Sequence, residues 1–462
     1  MTSSHKLWGG RFTSSTDPTL EELNASLHID RRLYAEDIAG SQAYARCLNK
    51  TNLLTDAETK SICDGLDKVK EEWASGNIEV KPGDEDIHTL NERRLKELIG
   101  VPATKLHVGR SRNDQVITDM KLWLCKALKD MHANVLNMIE VMMMRAVKEV
   151  DIIMPGYTHM QRAQPVRWSH WLLSHTWNLK ADADRLTQIM QNVNIMPLGS
   201  GALAGNPFSI DRQTLADDLG FNDVTMNSMQ AVGDRDYVAE FLFWCSMTSV
   251  HLSRLAEDLI IYSTKEFNFV TIDDSFSTGS SLMPQKRNPD SLELIRGTAG
   301  YIFGQCSGFM MTLKSLPSTY NKDLQSDKEA MFNSFDKLMI LLTVATGTIK
   351  TLKVNTKQCT GALSFDMLAT DLAYYLVRKG VAFREAHHIA GEVVREAEVK
   401  RILIHDLTLE ELRAISNHFE ADVSKVWNYE NSVEQYQATG GTSKNSVLNQ
   451  ISALQVWLKE QN

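Results

Sequence analysis

Residues 116–146 read VITDMKLWLCKALKDMHANVLNMIEVMMMRA. Neither glycine nor proline interrupts the chain from Ser111 to Met154. Within it Ile117, Met120, Leu124, Leu128, Met131, Val135, Met138, Met142 and Ala146 recur at three- and four-residue steps, the signature of one helix face. Val116, Trp123, Ala127, Ile139 and Met143 widen that face. A helix apolar on more than one side belongs in a bundle or at a subunit interface. Similar stretches free of Gly and Pro run from Val166 to Met196, Asp234 to Thr278 and Ser318 to Thr346. All far exceed the average helix of about 11–12 residues. Few segments show strand-like alternation, so the chain reads as all-α. Shorter helices fill an N-terminal domain, 1–111. A long-helix bundle domain spans 112–363, and a smaller helical domain spans 364–462 with a loop-rich interruption at 431–445. Gly297, Gly300, Gly304 and Gly308 fall inside a helical segment, at about 1 kcal/mol each relative to Ala. Their spacing suits close helix approach. Met142, Met143 and Met144 read as adaptable packing rather than a metal site.

Composition narrows the function. At 462 residues the chain suits two or three domains, and 43% hydrophobic residues supply ample core. A net charge of −9 argues against general nucleic-acid binding and requires a locally basic pocket for any anionic substrate. Arg110, Arg112, Lys286, Arg287, Lys322 and Lys328 supply candidates. The six cysteines are scattered without a Cys-x-x-Cys pair, which supports neither zinc nor redox chemistry. The N-terminal residues lack a signal peptide's apolar region, and no apolar run reaches membrane-spanning length. The expected setting is the cytoplasm, with no membrane and no nucleic acid as partner. Asp86 and His88 have weak metal-ligand spacing, which does not support a metal. Gly440-Gly441-Thr442-Ser443 reads as a turn with N-caps and lacks the phosphate-loop pattern. No cofactor is expected.

The most polar informative segment is Gly279-Ser280-Ser281-Leu282-Met283-Pro284-Gln285-Lys286-Arg287-Asn288-Pro289. It has no apolar period. It reads as a mobile loop bringing a hydroxyl, an ammonium and an amide to one anionic ligand. Asn288 can cap a helix beginning at Pro289, whose N-terminus adds positive potential. Ser280 and Ser281 are rival candidates for the reactive hydroxyl on the residues alone.

This loop resembles the signature of the fumarase/aspartase superfamily. Gly109-Arg110-Ser111-Arg112-Asn113-Asp114-Gln115, the segment Gly156 to Pro165, and Leu316 to Gln325 narrow the resemblance to the argininosuccinate lyase and delta-crystallin family. So does Leu7-Trp8-Gly9-Gly10-Arg11-Phe12. The resemblance covers almost the whole chain. It implies three mainly helical domains and a homotetramer in which each subunit gives five long helices to a twenty-helix core, with sites shared between subunits. It implies reversible anti β-elimination of argininosuccinate to arginine and fumarate. A crystallin-like structural role and another fumarate-releasing activity, on adenylosuccinate, are the alternatives.

The resemblance also distributes roles. Ser280 corresponds to the catalytic serine, which needs local positive charge to act as a base. Lys286 would stabilise the doubly charged aci-carboxylate. His159 would protonate the leaving nitrogen directly or through water, and Glu293 would hold it charged. Its histidine lies at an expected loop-to-helix junction after Pro155-Gly156. Glu293 reads equally as half of a capping box with Asp290. Ser26, Asp30, Asp86, Ser111, Arg112, Asn113, Thr158, Asn288, Tyr320, Gln325 and Lys328 correspond to substrate-binding positions. Asp30 and Asp86 also read as helix caps. Arg235 reads as a loop anchor, with a surface salt bridge as the plainer reading.

Overall fold

The computed structural model describes residues 16–461, so the Leu7–Phe12 motif lies outside the described residues. Many of the helices open on a polar side-chain cap, although the one at Tyr34–Lys50 follows Leu33 without one. Three of them, α1 (Tyr34–Lys50), α2 (Asp56–Ala74) and α3 (Ile87–Ile99), dominate the early chain. Thr55 and Glu58 form a reciprocal capping box at the start of α2, and Asp86 caps α3 by accepting the Thr89 N–H at 2.7 Å. The inward faces of the three helices pack Ile38, Leu48, Ile62, Leu66, Leu90 and Leu95 with Leu198, Leu215 and Phe221.

Longer helices follow. α4 (Arg112–Lys148) leads into an antiparallel hairpin, β1 (Ile153–Thr158) with β2 (Gln161–Arg167). Then come α5 (Trp168–Val193), α6 (Asp236–Ser263), α7 (Asp290–Leu313) and α8 (Asp327–Thr351). The chain closes with α9 (Ala369–Arg378), α10 (Phe383–Lys400) and α11 (Lys444–Glu460). Strands occur only as short two-stranded ladders among the described residues, so the fold is mainly helical as the periodicity required.

The described residues form two compact units. One draws on residues 16–133, 184–247 and 300–338, the other on residues 134–183, 248–299 and 339–461. In the first, Arg32 forks onto Asp336 at 2.7 Å and lies over the Trp123 and Phe332 rings. In the second, the buried Arg167 pairs with Glu430 and Glu434, while its N–H donates to Thr442 Oγ1 at 2.9 Å. Ser443 caps α11 through the Ser446 N–H, which fulfils the N-cap reading of the glycine turn. A small separate core of Leu372, Leu376, Val393 and Phe419 closes α9 and α10.

The apolar stripe of α4 is closed inside the chain. Ile117, Met120, Leu124, Leu128, Met131, Val135, Met138, Met142 and Ala146 are all 0% exposed. At about 1.5–3 kcal/mol for each large side chain fully buried, this stripe is a principal source of stability. Among the described residues, α7 carries a long uncovered apolar face. Leu294, Tyr301, Phe303, Met310 and Met311 stand exposed along it, and a Cβ on Gly297, Gly300, Gly304 or Gly308 would meet no atom within 4 Å. The close approach expected of those glycines is therefore not made within the chain.

Candidate active site

A cavity of about 560 Å³ opens in the first unit. Its walls are assembled from four sequence-distant segments. Ser26 and Asp30 come from the turn before α1, Asp86 and His88 from the start of α3, Arg112 and Asn113 from the start of α4, and Tyr320, Gln325 and Lys328 from the entry to α8. Eight of the substrate-binding candidates thus share one wall system, together with Lys322 of the basic set.

Each is fixed by a particular bond. Ser26 Oγ donates to Asp30 Oδ2 at 2.6 Å, and Asp30 Oδ1 accepts the Ile87 N–H at 3.1 Å. Burial raises the Asp30 carboxyl to about 6, against the lowering effect of the Ser26 bond. Asp30 therefore does not cap a helix; it spans from the N-terminal turn to α3. Asp86 does cap α3, and Arg112 Nε lies 3.8 Å from its Oδ2. Gln325 Nε2 donates to the Asn24 carbonyl at 3.1 Å. Lys328, 5% exposed, reaches Asp327 Oδ1 at 2.9 Å. The other oxygen of Asp327 accepts from Arg235 Nε. Arg235 does not line the cavity and is not a surface salt bridge. It is a buried partner of the aspartate that carries Lys328. Burial opposes charge on Asp327, yet Lys328 and Arg235 together hold its carboxyl below the usual range.

Ser111 lies at the N-terminus of α4, where Asn113 N–H donates to its hydroxyl at 3.2 Å. Sequence reasoning missed Asp114. Its Oδ1 accepts the Ser111 N–H at 3.0 Å, and its Oδ2 accepts those of Gly199 and Gly201 at 3.0 and 2.8 Å. This fully buried carboxyl clips the Ser111–Asn113 turn to a glycine loop whose Gly201 has φ +61°. A Cβ there would sit 2.9 Å from the Gly205 carbonyl oxygen. The signal was present, because Ser-x-x-Asp at a helix start is a capping pattern. Glu92, whose carboxyl is raised by burial, also lines the cavity and had no motif to announce it.

The second unit holds the remaining candidates. Thr158 ends β1 and pairs with Gln161 across a two-residue turn made by His159 and Met160. Their φ values are +53° and +59°. This corrects the loop-to-helix expectation: His159 sits at the exposed tip of a hairpin. Two consecutive non-glycine residues in the left-handed region are strained, and such strain concentrates where a side chain must be presented.

The signature loop is pinned at its base. Thr278 pairs with Asn288 and Gly279 with Arg287 in a short antiparallel ladder. Phe276 packs on Gly347, where any Cβ would lie 2.3 Å from its ring. Asn288 Nδ2 lies 3.4 Å from Thr278 Oγ1 and from the Gly279 carbonyl oxygen. It does not cap the helix, which begins at Asp290. Asp290 accepts the Thr278 hydroxyl, so it forms no capping box with Glu293. Glu293 is exposed on the first turn of α7, and among the described residues no ion pair joins it to His159 within one chain.

Within the loop, Ser280 Oγ accepts the N–H groups of Met283 at 3.0 Å and Leu282 at 3.3 Å. Two amides aimed at one hydroxyl oxygen favour its anion. No such pair reaches Ser281 among the described residues. Lys286 is exposed, with its N–H bonded to the Met283 carbonyl at 3.0 Å. The cavity therefore combines acidic Asp30, Asp86 and Glu92 with basic Arg112, Lys322 and Lys328, which suits a ligand bearing both charges. The loop carries a hydroxyl oxygen that accepts two backbone N–H groups.

Comparison with known proteins identifies the family. Residues 10–304 match the Lyase family model, and residues 366–434 match the model for the argininosuccinate lyase C-terminal region. The chain is 55% identical over 455 residues to a probable argininosuccinate lyase of Schizosaccharomyces pombe, covering 98% of this chain and 99% of that one. It is 51% identical to the argininosuccinate lyase of Candida albicans, covering 98% and 97%. An EDDS lyase solved with formate superposes with a TM-score of 0.84 at 28% identity, covering 97% of this chain and 91% of that one. A class II fumarase of Schistosoma mansoni shares the fold, with a TM-score of 0.71 at 15% identity, covering 86% and 90%. Matched along nearly its full length, the chain belongs to the argininosuccinate lyase family of the fumarase/aspartase superfamily.

Proposed function

We propose that the protein catalyses the reversible anti β-elimination of argininosuccinate to arginine and fumarate. The observation that carries the chemistry is the pair of backbone N–H groups on Ser280 Oγ, in a loop that also bears Lys286. The proton to be removed lies next to a carboxylate and is weakly acidic. Its removal needs a strong base and stabilisation of the resulting dianion. Ser280, as alkoxide, takes the proton. Lys286 neutralises the aci-carboxylate. His159 protonates the departing guanidino nitrogen, with Glu293 holding the imidazolium. Closure of the loop over substrate would exclude water and strengthen each of these interactions.

The cavity holds the substrate. Asp30 and Asp86 face its cationic groups, and Arg112, Asn113 and Lys328 face its carboxylates, with Ser26, Tyr320 and Gln325 completing the grip. Ser111, Thr158 and Asn288 bind the succinyl end, and Arg235 acts through Asp327 to seat Lys328. No metal or cofactor takes part.

The exposed apolar and glycine-lined face of α7 supports a homotetramer built on the long helices, in which His159 and Ser280 segments from neighbouring subunits complete each site. The three domains 1–111, 112–363 and 364–462, and a cytoplasmic location, belong to the same reading. The test is direct. Purified protein given argininosuccinate should release fumarate, followed by absorbance, and arginine in equal amounts after exhaustive chelation. Turnover of adenylosuccinate alone, or strict metal dependence, would refute it. Mixing His159→Asn with Ser280→Ala protein should restore activity if subunits share sites. No recovery after verified subunit exchange would remove sharing.

A further inference from the structure

Behind the cavity wall lies a buried polar cluster that the reaction above does not use. His88, 2% exposed, lines the cavity. Its Nδ1 lies 2.8 Å from Asp37 Oδ1 and 3.5 Å from Asp119 Oδ2. Asp37 is rich in donors: Gln115 Nε2 reaches Oδ1 at 2.5 Å and Asn91 Nδ2 reaches Oδ2 at 2.6 Å. Asn91 is itself fixed by the Trp73 indole N–H at 2.8 Å. Asp119 differs. It is 1% exposed, and its Oδ2 has no hydrogen-bond partner.

Two carboxylates at one imidazole, both removed from water, cannot both stay ionised at low cost. Burial pushes the Asp119 carboxyl well above the usual range, and the nearby charges of Asp37 and Glu36 push it further, against the opposing charge of Arg110. A divalent cation is the other way to neutralise such a group, and the three side chains do bring ligand atoms within 4.8 Å of one another. The amide donors of Gln115 and Asn91 point at the same Asp37 oxygens, however, and N–H groups directed at a ligand oxygen compete with a cation for it.

We propose that Asp37 and Asp119 form a one-proton carboxyl pair that positions His88 as a further substrate-contacting residue in the cavity wall. Asp37 anchors Nδ1 on the buried side, so the opposite ring nitrogen is the one presented to the ligand. Asp119 carries the shared proton and keeps the cluster close to neutral. This rests on the reading that the cavity holds the substrate. It adds a residue to that site and two positioning residues behind it.

The experiment compares full-length His88→Gln, Asp37→Asn, Asp119→Asn and the double variant Asp37→Asn/His88→Gln. Steady-state kinetics with argininosuccinate, thermal melting and metal analysis are recorded on each. An amide mimics a protonated carboxyl but not an anion. Asp119→Asn should therefore keep kcat/KM within about threefold, while Asp37→Asn should lose about tenfold or more. His88→Gln should raise KM more than it lowers kcat, and the double variant should be no worse than the more impaired single one, because Asp37 acts through His88. If Asp37→Asn fails to fold, His88→Gln and Asp119→Asn still decide. Unchanged KM and kcat in His88→Gln would overturn the proposal. So would a loss in Asp119→Asn equal to that in Asp37→Asn, or a stoichiometric metal in the purified protein. Lys328→Met is the control for the cavity itself. If it leaves KM unchanged the substrate reading fails; if it raises KM while His88→Gln does not, only the present inference fails.

Discussion

Two long helices that each carry an apolar face, α4 and α7, end in opposite conditions. The α4 stripe is wholly buried by the chain's own residues, whereas α7 leaves Phe303 60% and Met311 63% exposed beside a row of glycines. Hydrophobicity alone does not identify an interface. The distinguishing feature of α7 is the combination of exposed aromatic and methionine side chains with small residues that admit a second backbone. An uncovered apolar face of this kind marks an association site. Both helices also begin at candidate site residues: α4 follows Ser111 and starts at Arg112, and α7 follows the signature loop.

The largest expected effect lies at the start of α7. Ser280→Ala should lower kcat by roughly a thousandfold or more with KM within a few-fold, because the hydroxyl acts mainly in the transition state. Ser281→Ala should be mild. Kinetics of the two variants check this, and near-normal turnover in Ser280→Ala would move the base to Ser281 or His159.

Next in size is the helix contrast itself. Gly304→Leu on α7 should reduce the mass seen by light scattering and abolish most activity, while each chain keeps its helical circular dichroism. Met131→Ala on α4 should do the reverse. It should cost about 2–5 kcal/mol of stability through the cavity it leaves, with assembly intact. If Gly304→Leu retains a wild-type mass, the contrast between the two faces is broken.

The cavity residues at the starts of α4 and α8 should respond more gently than the loop before α7. Asn113→Ala and Lys328→Met should raise KM about tenfold or more each, through lost charge-assisted bonds to substrate, with smaller changes in kcat. A purely kcat effect would place these groups in the chemistry and not in the grip.

The smallest effect concerns Asp30, whose carboxyl is pushed by burial to about 6, above the usual aspartate value of 3.8. A raised value means that its contribution to stability is present below the unfolded value and is lost as pH rises through 6. At neutral pH, Asp30→Asn should therefore melt higher, by up to about 3 kcal/mol of stability. For function the sign reverses. KM should rise as pH falls below 6, when Asp30 loses the charge that faces the substrate's cationic end. Melting curves and KM between pH 5 and 8 test both signs, and a flat KM profile would detach Asp30 from binding.

Much of the long-helix architecture was legible because helix formation is local. The three- and four-residue period of 117–146 and the stretches free of Gly and Pro located α4 and α5 closely, whereas the stretch from Asp234 to Thr278 overran the end of α6 at Ser263 and the one from Ser318 began well before α8 at Asp327. The caps Asp86 and Ser443 were legible for the same reason. The hairpin at His159 was not, since its strands have six and seven residues and depend on pairing with each other. Asn288 was assigned to a cap by its neighbour Pro289, but the ladder with Thr278 claimed its side chain instead. Arg235 and Asp327 are 92 residues apart, and nothing in the order of residues shows that one completes the other.

The sequence by itself determined the helical periods, the loop with its serine and lysine, and the family to which these motifs belong, because each is written in residues close along the chain. Only the tertiary structure decided that α4 is closed and α7 open. It alone joined Arg235 to Asp327, placed His159 on a strained turn between two paired strands, and put Asp37, His88 and Asp119 around one another. The physical reason is that burial and hydrogen bonding between distant segments depend on which surfaces remain available after the chain has packed. Local composition carries no record of that outcome.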